Sequence, residues 1–288
     1  MTGVSVVIAA YRAVPDIGEQ LSALESQTYD GPVEVIVSDN EGSADLATFV
    51  RSHPASRALS IQVVEASGTP GTSHARNVGT RAARYDLIAY CDQDDAVHST
   101  WLEALVDAAE SADLVGGPLE RDTLNDAVVA SWRALPDPDR PVVLGRYLPM
   151  SFGCNLAVRR RAFDSVGGWD ESYPTAGSDI DFCWRVQESG HDFGFAPGAM
   201  VAYRFRTGMM DSFHQASEYG CAEARVARQH GAIGRQWWWF PVHCAVVLGT
   251  APVWPWGWSR GRRGAWMWVT GNLIGRIRGS VRYRILYW

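Results

Sequence analysis

Three carboxylates, Asp92, Asp94 and Asp95, lie within four residues of one another and directly follow the apolar run 87–90. An apolar run of this length predicts a buried strand, so the acids stand where the strand ends. Ligands of open α/β sheets bind at this carboxyl edge. Because crowded carboxylates repel one another, a divalent cation between them is favourable. The cluster therefore predicts a Mg²⁺ or Mn²⁺ site that accepts a diphosphate. The alternative is an acidic loop that caps a helix beginning near Ser99.

A second polar cluster follows the strand pattern 33–37. Asp39 stands at the end of that run, where its carboxylate could accept a hydrogen bond from a uracil imide or a ribose hydroxyl. The alternative is a local role, in which Asp39 forms a turn with help from Gly42 and Ser43.

The segment 71–79 follows a third strand pattern and opens a helix. Backbone N–H groups at a helix start favour a phosphate, and Arg76 would add positive charge. The spacing alone is weak evidence for a phosphate site, because glycine-containing helix starts are common. The alternative is an ion pair between Arg76 and the acids of residues 92–95.

A third acidic site, Asp179 and Asp181, precedes a helical pattern that ends near Gly190. A carboxylate placed against an acceptor hydroxyl would act as a general base. Acids in the first turn of a helix also simply cap it. The glycine-rich segment 167–171 upstream favours a shaped pocket wall.

These clusters need a scaffold, and the first half of the chain alternates strand and helix patterns. Such alternation predicts right-handed βαβ units and a mostly parallel sheet. The predicted strands are 4–10, 33–37, 61–64 and 87–90, and the predicted helices are 17–26, 46–50, 72–84 and 101–109.

The charge is distributed unevenly along the 288 residues. The net charge is −6, but residues 204–288 hold 12 arginines and three acids, which leaves the first 203 residues at −15. Two regions with different roles are therefore expected.

The five cysteines are scattered along the sequence without the spacing of a metal site. This distribution predicts free thiols in a reducing compartment. Because the N-terminus also lacks a signal-peptide pattern, the chain is expected in the cytoplasm.

The C-terminal region is rich in tryptophan as well as arginine. Residues 237–258 carry no charged side chain, but proline and glycine interrupt this stretch, and residues 266–285 then alternate large apolar side chains with arginines. This composition favours peripheral attachment to the cytoplasmic face of an anionic membrane. The alternatives are a spanning helix and a helical subdomain that packs its tryptophans on the core. No nucleic-acid-binding motif is present, so no nucleic acid partner is expected.

Taken in order, the clusters resemble the pattern of glycosyltransferase family 2, whose members have the GT-A fold. The resemblance covers roughly residues 4–206. It is carried by residues 4–12, by residues 36–40, by Ala75-Arg76-Asn77-x-Gly79, by Asp92-Gln93-Asp94 as a D-x-D motif, and by residues 153–160 and 168–171.

The resemblance implies an inverting transferase with a Rossmann-like α/β catalytic domain over residues 1–206. Residues 1–117 would bind the nucleotide sugar, residues 118–206 the acceptor, and residues 207–288 would form a Trp/Arg-rich helical, membrane-associating extension. Asp179 is implied as the catalytic base. The other implied site residues are Ala9, Tyr11, Asp39, Arg76 and Asp92 for the nucleotide, Asp94 and Asp92 for Mn²⁺ or Mg²⁺, and Trp169, Asp170, Asp181 and Arg185 for the acceptor.

Three positions depart from the family pattern. Ser178 replaces the acid that usually precedes the base, and Glu41 is inserted in the turn after Asp39. Residues 202–206 stand where many relatives carry a metal-binding histidine. Arg204 or Arg206 is therefore a candidate diphosphate ligand, and the alternative is a metal with fewer protein ligands.

The resulting hypothesis is a metal-dependent transfer of a hexosyl or deoxyhexosyl group to an acceptor hydroxyl. The donor would be a UDP-, GDP- or dTDP-sugar, and the acceptor a glycan or lipid-linked precursor of the cell envelope. A nucleotidyltransferase and a non-catalytic sugar-nucleotide-binding protein are the alternatives.

Overall fold

The computed structural model describes residues 1–173, 175–232 and 257–287, together with residues 242, 244, 245, 247 and 249. Most of the uncharged stretch 237–258 lies outside the described residues. The chain divides into two compact units. The first comprises Met1–Glu120, Pro136–Val142 and Pro149–Tyr203, and the second comprises Arg121–Leu135, Val143–Leu148 and Arg204–Trp288.

The first unit is built on a seven-stranded sheet, which confirms the predicted mostly parallel α/β fold. The strands of this sheet are β1 (Val4–Ala10), β2 (Val33–Asp39), β3 (Ser60–Glu65), β4 (Leu87–Asp92), β6 (Leu114–Gly116), β10 (Leu156–Arg159) and β11 (Phe193–Phe195). Their order in the sheet is β11-β6-β10-β4-β1-β2-β3, and only β10 runs antiparallel to its neighbours.

Shorter strands complete this part of the chain. They are β5 (Ala96–Val97), β7 (Leu119–Glu120), β8 (Val142–Val143), β9 (Pro149–Met150) and β12 (Val201–Ala202). Three of them form a second sheet with the order β5-β12-β7.

Helices connect the strands at the intervals that the sequence predicts. The helices of the first unit are α1 (Ile17–Glu25), α2 (Ala44–Ser52), α3 (Thr72–Ala82), α4 (Trp101–Ala108), α6 (Arg160–Ser165) and α7 (Ser178–Glu188), with a 3₁₀ turn at Pro54–Arg57. Leu21 of α1 and Leu105 of α4 are almost fully buried, as expected for the apolar face of a helix in such a fold.

The register of the sheet places polar strand ends side by side. β1 is apolar and buried almost throughout, and it pairs in parallel with both β2 and β4. Ala10 lies opposite Asp39, and Ala9 lies opposite Asp92. Because parallel strands end at a common edge, the predicted nucleotide and metal residues share the carboxyl edge of the sheet.

The second unit is helical. It contains α5 (Ala127–Ala130), α8 (Met209–Gln229) and α9 (Arg260–Tyr283). It also includes residues 121–135 and 143–148, which the sequence analysis placed in the acceptor half. Among the described residues, no helix is both long enough and apolar enough to cross a membrane.

Small residues bring α8 and α9 into close contact. A Cβ atom on Gly271, Gly275 or Gly279 would overlap backbone atoms of α8, and one on Gly220 would overlap backbone atoms of α9. The glycines at four-residue intervals therefore let the two backbones approach closely, which larger side chains would prevent.

Candidate active site

The structure brings three potential metal ligands together at the end of β4. Asp92, Asp95 and Cys154 each offer a ligand atom, and these atoms lie within 4.8 Å of one another. Asp95 and Cys154 are buried, while a third of the Asp92 side chain is exposed. Two carboxylates and a thiol fit a divalent ion such as Mn²⁺, whereas the thiol is a poor ligand for Mg²⁺.

Asp94 is not part of this group. It is half-buried and lies in the turn between β4 and β5. The predicted pair Asp92 and Asp94 and the observed group thus share Asp92 and differ in the second carboxylate. Asp94 stays a predicted metal ligand.

Gln93 joins the end of β4 to the loop that follows β1. Its Oε1 accepts a hydrogen bond from the Tyr11 backbone N–H over 2.7 Å, and its Nε2 donates to the Tyr11 carbonyl over 2.9 Å. The Tyr11 side chain is half-exposed, and its ring faces the Arg12 guanidinium at 5.2 Å. Gln93 therefore holds the acidic loop against the predicted nucleotide loop.

Asp39 organises its own turn. Its Oδ1 accepts hydrogen bonds from the N–H groups of Glu41 (3.0 Å) and Gly42 (2.9 Å), and its Oδ2 accepts one from Ser43 (2.8 Å). This is the turn-forming role that the sequence left open as an alternative. Contact between Asp39 and a nucleoside stays a prediction.

Arg76 is buried between the acidic loop and Trp169. Its Nη2 donates to Asp92 Oδ1 over 2.9 Å, and its guanidinium lies 4.7 Å from the centroid of the Trp169 ring. A Cβ on Gly153 would overlap the guanidinium, so this glycine leaves room for it. The ion pair between Arg76 and residues 92–95, given above as an alternative, is thus present.

Asn77 holds the backbone of Trp169. Its Oδ1 accepts from the Trp169 N–H, and its Nδ2 donates both to the Trp169 carbonyl and to Glu171 Oε1. Burial would raise the pKa of Glu171, but hydrogen bonds from Asn77 and His74 lower it below its usual value. The α3 signature therefore fixes the segment that precedes α7.

Three of the four predicted acceptor residues are held by neighbours. Trp169 is 2% exposed and stacks on Phe182 at 4.3 Å. Asp181 is fully buried and pairs with Arg185 over 2.7 Å, and Arg185 also donates to the carbonyls of Val166 and Gly168. Contact of Trp169, Asp181 or Arg185 with an acceptor stays a prediction.

Asp170 is more accessible than these residues. It is half-buried, and its Oδ1 accepts from the Ser172 N–H over 2.8 Å. Its contact with an acceptor stays a prediction.

Asp179 lies in the first turn of α7, next to the metal-ligand group. Burial raises the pKa of its carboxyl group, and the Arg76 cation partly opposes that rise. Asp179 and Arg76 both perturb the pKa of Cys154, which burial raises most. The candidate base, the arginine and the candidate metal ligands thus form one electrostatic cluster.

A cavity of about 600 Å³ lies elsewhere in the first unit. It is lined by Asp86 and Arg159, which flank the start of β4, at the amino edge of the sheet. The Arg160 side chain there donates to backbone carbonyls, and that of Arg161 pairs with Asp113. We therefore assign this cavity no part in the chemistry.

The sequence analysis gave no role to Gln93, Asn77 or Cys154. Gln93 and Asn77 stand inside the recognised motifs, so position next to a motif residue was the available signal. Cys154 also stands inside a segment that carries the family resemblance, residues 153–160, but its proximity to Asp92 depends on the pairing of β10 with β4.

Comparison with known proteins places the chain in a family. Residues 2–229 match the model of glycosyltransferase like family 2, so the chain belongs to that family. It is 29% identical over 213 residues to a pre-mycofactocin glycosyltransferase of Mycobacterium tuberculosis, covering 69% of this chain and 43% of that protein. The chain thus spans less than half the length of that relative.

A second relative matches over nearly its whole length. An N-acetylglucosaminyl-diphospho-decaprenol L-rhamnosyltransferase of M. tuberculosis is 28% identical over 279 residues, covering 84% of this chain and 89% of that protein.

Solved structures agree on the fold. A mannosyltransferase from Pyrobaculum calidifontis, solved with GDP-Man and Mn²⁺, has a TM-score of 0.63 at 16% identity and covers 95% of this chain and 86% of that one. S. aureus TarS 1–349, solved with UDP-GlcNAc, has a TM-score of 0.56 at 15% identity, with 99% and 93% covered. The chain therefore has the GT-A glycosyltransferase fold.

Proposed function

We propose that this protein is a metal-dependent inverting glycosyltransferase that moves a sugar from a nucleoside diphosphate to an acceptor hydroxyl. The observation that carries the proposal is the cluster of Asp92, Asp95, Arg76 and Asp179 at the carboxyl edge of the parallel strands. Family membership favours this reaction over nucleotidyl transfer.

The donor would lie across the ends of β1, β2 and β4. Tyr11 offers an exposed aromatic face for a base, and Asp39 keeps lone pairs beyond its three backbone hydrogen bonds for a ribose or base N–H group. Ala9 would contribute backbone contacts beside them, and the Arg76 cation would favour the diphosphate.

A divalent ion would be held by Asp92 together with Asp94 or with Asp95 and Cys154. When bound, such an ion neutralises charge on the leaving diphosphate. The Mn²⁺ bound by the structurally similar mannosyltransferase supports this choice of ion.

Asp179 is proposed as the general base. Its carboxylate accepts the proton of the acceptor hydroxyl while that oxygen bonds to the anomeric carbon. The bond from that carbon to the diphosphate oxygen breaks on the opposite face, and the configuration inverts. The raised pKa of Asp179 suits this role, because a stronger base removes a hydroxyl proton more readily.

The acceptor is proposed to be a lipid-linked glycan precursor of the cell envelope. The name of the rhamnosyltransferase relative gives N-acetylglucosaminyl-diphospho-decaprenol as its acceptor, and this chain covers most of that protein. A lipid-linked acceptor requires the enzyme to work at a membrane, so we propose peripheral attachment at the cytoplasmic face through residues 207–288.

Thermal unfolding with a panel of nucleotide sugars tests the donor site. The full chain is melted with UDP-, GDP- and dTDP-sugars, each with and without Mn²⁺. A metal-dependent rise in Tm with one nucleotide is expected, because a ligand that binds only the native state stabilises it. No rise with any of them would contradict the proposal. A rise without transfer to any polyprenyl diphosphate glycan would favour a non-catalytic sugar-nucleotide-binding protein.

A further inference from the structure

The outer face of α9 and the turn after it expose large apolar side chains. The exposed fractions are 43% for Ile274, 37% for Ile277, and 77% for both Val281 and Leu286. Residues 274, 277 and 281 follow the three- and four-residue spacing of one helical face. We call these four side chains the outer face of α9.

The turn at the end of α9 is held in place rather than frayed. Tyr287 is 2% exposed, its carbonyl accepts from Ser280 Oγ (3.1 Å), and its N–H donates to the same oxygen (3.2 Å). The Ile285 N–H also donates to the Ser280 carbonyl. Because Tyr287 folds inward, the backbone holds Leu286 outward. An ordered backbone that presents apolar groups to solvent marks an interaction surface.

The opposite face of α9 is already used. Its glycines pack against the α8 backbone, and its Arg276 pairs with Glu223 over 2.9 Å. The helix therefore cannot bury its outer face by rotating on α8, and among the described residues this face stays exposed.

The charge around the outer face identifies the partner. Ten arginines and no acidic residue follow Glu223 in the sequence. Arg282 and Arg284 flank Val281 and Leu286, are exposed, and form no ion pair within the described part of the chain. Apolar side chains bordered by unpaired arginines match the boundary between acyl chains and anionic headgroups, where arginine can extend to the phosphates.

We infer that the outer face of α9 lies in the headgroup region of an anionic phospholipid bilayer, with Val281 and Leu286 inserted and Arg282 and Arg284 on the lipid phosphates. The inference rests on the membrane contact in the proposed function and assigns it to one surface.

Vesicle sedimentation of the full chain tests the inference. We expect binding to phosphatidylcholine vesicles that contain phosphatidylglycerol, weak binding without it, and release by salt. The double variant Val281→Asp/Leu286→Asp should lower partitioning at least roughly tenfold. Arg282→Gln should lower it roughly fivefold. Val128→Asp, on the 39% exposed Val128 of α5, is the matched control and should bind like the wild type.

Other outcomes overturn the inference. These are vesicle binding that the variants leave unchanged, binding to RNA but not to vesicles, and a lipid-free dimer that Val281→Asp dissociates. Arg282→Gln keeps the test decisive if the double variant fails to fold. The nucleotide-dependent Tm shift, measured on the same samples, is independent of lipid. A retained shift with no vesicle binding would therefore reject only this inference, whereas vesicle binding without a shift would reject only the donor site.

Discussion

At the residue scale, the proposed chemistry depends on one buried carboxyl group. Burial raises the pKa of Asp179, so ionised Asp179 destabilises the native state relative to the unfolded chain. This contribution lowers the free energy of unfolding as the pH rises from the unfolded pKa through the higher folded pKa. The proposed proton transfer instead requires the ionised Asp179 carboxylate, because only that form can take a proton from the acceptor hydroxyl.

We therefore expect Asp179→Asn to retain the donor-induced Tm shift and to lose transfer by about 10²–10⁴-fold. The variant should also be at least as stable as the wild type near neutral pH. In the wild type, kcat should fall with decreasing pH and should start to fall at a higher pH than for an ordinary aspartate. Steady-state kinetics over pH and denaturant unfolding check these points. Asp164→Asn, at an exposed position of α6, is the control, and near-normal transfer by Asp179→Asn would contradict the assignment.

The metal ligands can be separated by the ions that they prefer. If Cys154 is a ligand, Cys154→Ser should weaken Co²⁺ binding roughly tenfold and change Mg²⁺ binding little, because thiolates favour softer ions. The thiolate-to-cobalt charge-transfer band should disappear in that variant. Cys221→Ser removes a buried thiol of the second unit and serves as the control. An unchanged band in Cys154→Ser, together with lost metal binding in Asp94→Asn, would instead support the pair Asp92 and Asp94.

At the element scale, the site depends on loops that are tied to one another. Gln93 fixes the loop after β1 to the end of β4, while Asn40 donates to the Thr69 carbonyl and accepts from the Gly71 N–H. Asn40 thereby holds the loop that leads into α3. Side-chain amides thus tie the loops at four strand ends in two pairs, β1 with β4 and β2 with β3.

We expect Gln93→Ala to raise the donor KM roughly tenfold with a smaller change in kcat, because two hydrogen bonds that position Tyr11 are lost. Gln93→Glu should raise the donor KM at least as much, since its carboxylate would face the Tyr11 carbonyl. Gln62→Ala, on the exposed face of β3, is the matched control. A Gln93→Ala enzyme with an unchanged donor KM and a lowered kcat would show that the contact serves another purpose.

At the scale of the whole molecule, the second unit is assembled from distant parts of the sequence. Trp132 is 2% exposed and packs against Gly264 of α9, and the Arg133 guanidinium lies 4.5 Å from the centroids of both the Phe205 and the Trp268 rings. The segment 121–135 therefore depends on α9, although more than a hundred residues separate them.

Removal of residues 207–288 should consequently destabilise the rest of the chain. We expect the remaining protein to melt at a lower temperature and to aggregate, since each large side chain left exposed costs about 1.5–3 kcal/mol. The full chain, melted under the same conditions, is the control. A 1–206 protein that unfolds cooperatively at the wild-type Tm would contradict this expectation.

The sequence by itself determined four strands of the seven-stranded sheet and the place of the candidate site. Apolar runs bounded by polar residues set β1, β2 and β4, because a strand buried on both faces has to be apolar along its length. The acids at strand ends, Asp39 and Asp92, follow from the same pattern. The structure extends β2 and β4 by two residues each, so both acids become the last residues of their strands.

The tertiary structure alone decided which side chains meet. No local pattern encodes the proximity of Cys154 to Asp92 or the hydrogen bonds between Gln93 and Tyr11. The burial of Trp169 and Asp181 likewise depends on neighbours that are distant in sequence. The same holds for the second unit, whose segments are brought together by the burial of Trp132. Local sequence specifies an element through its own periodicity, whereas a contact between elements depends on register and packing that only the folded chain fixes.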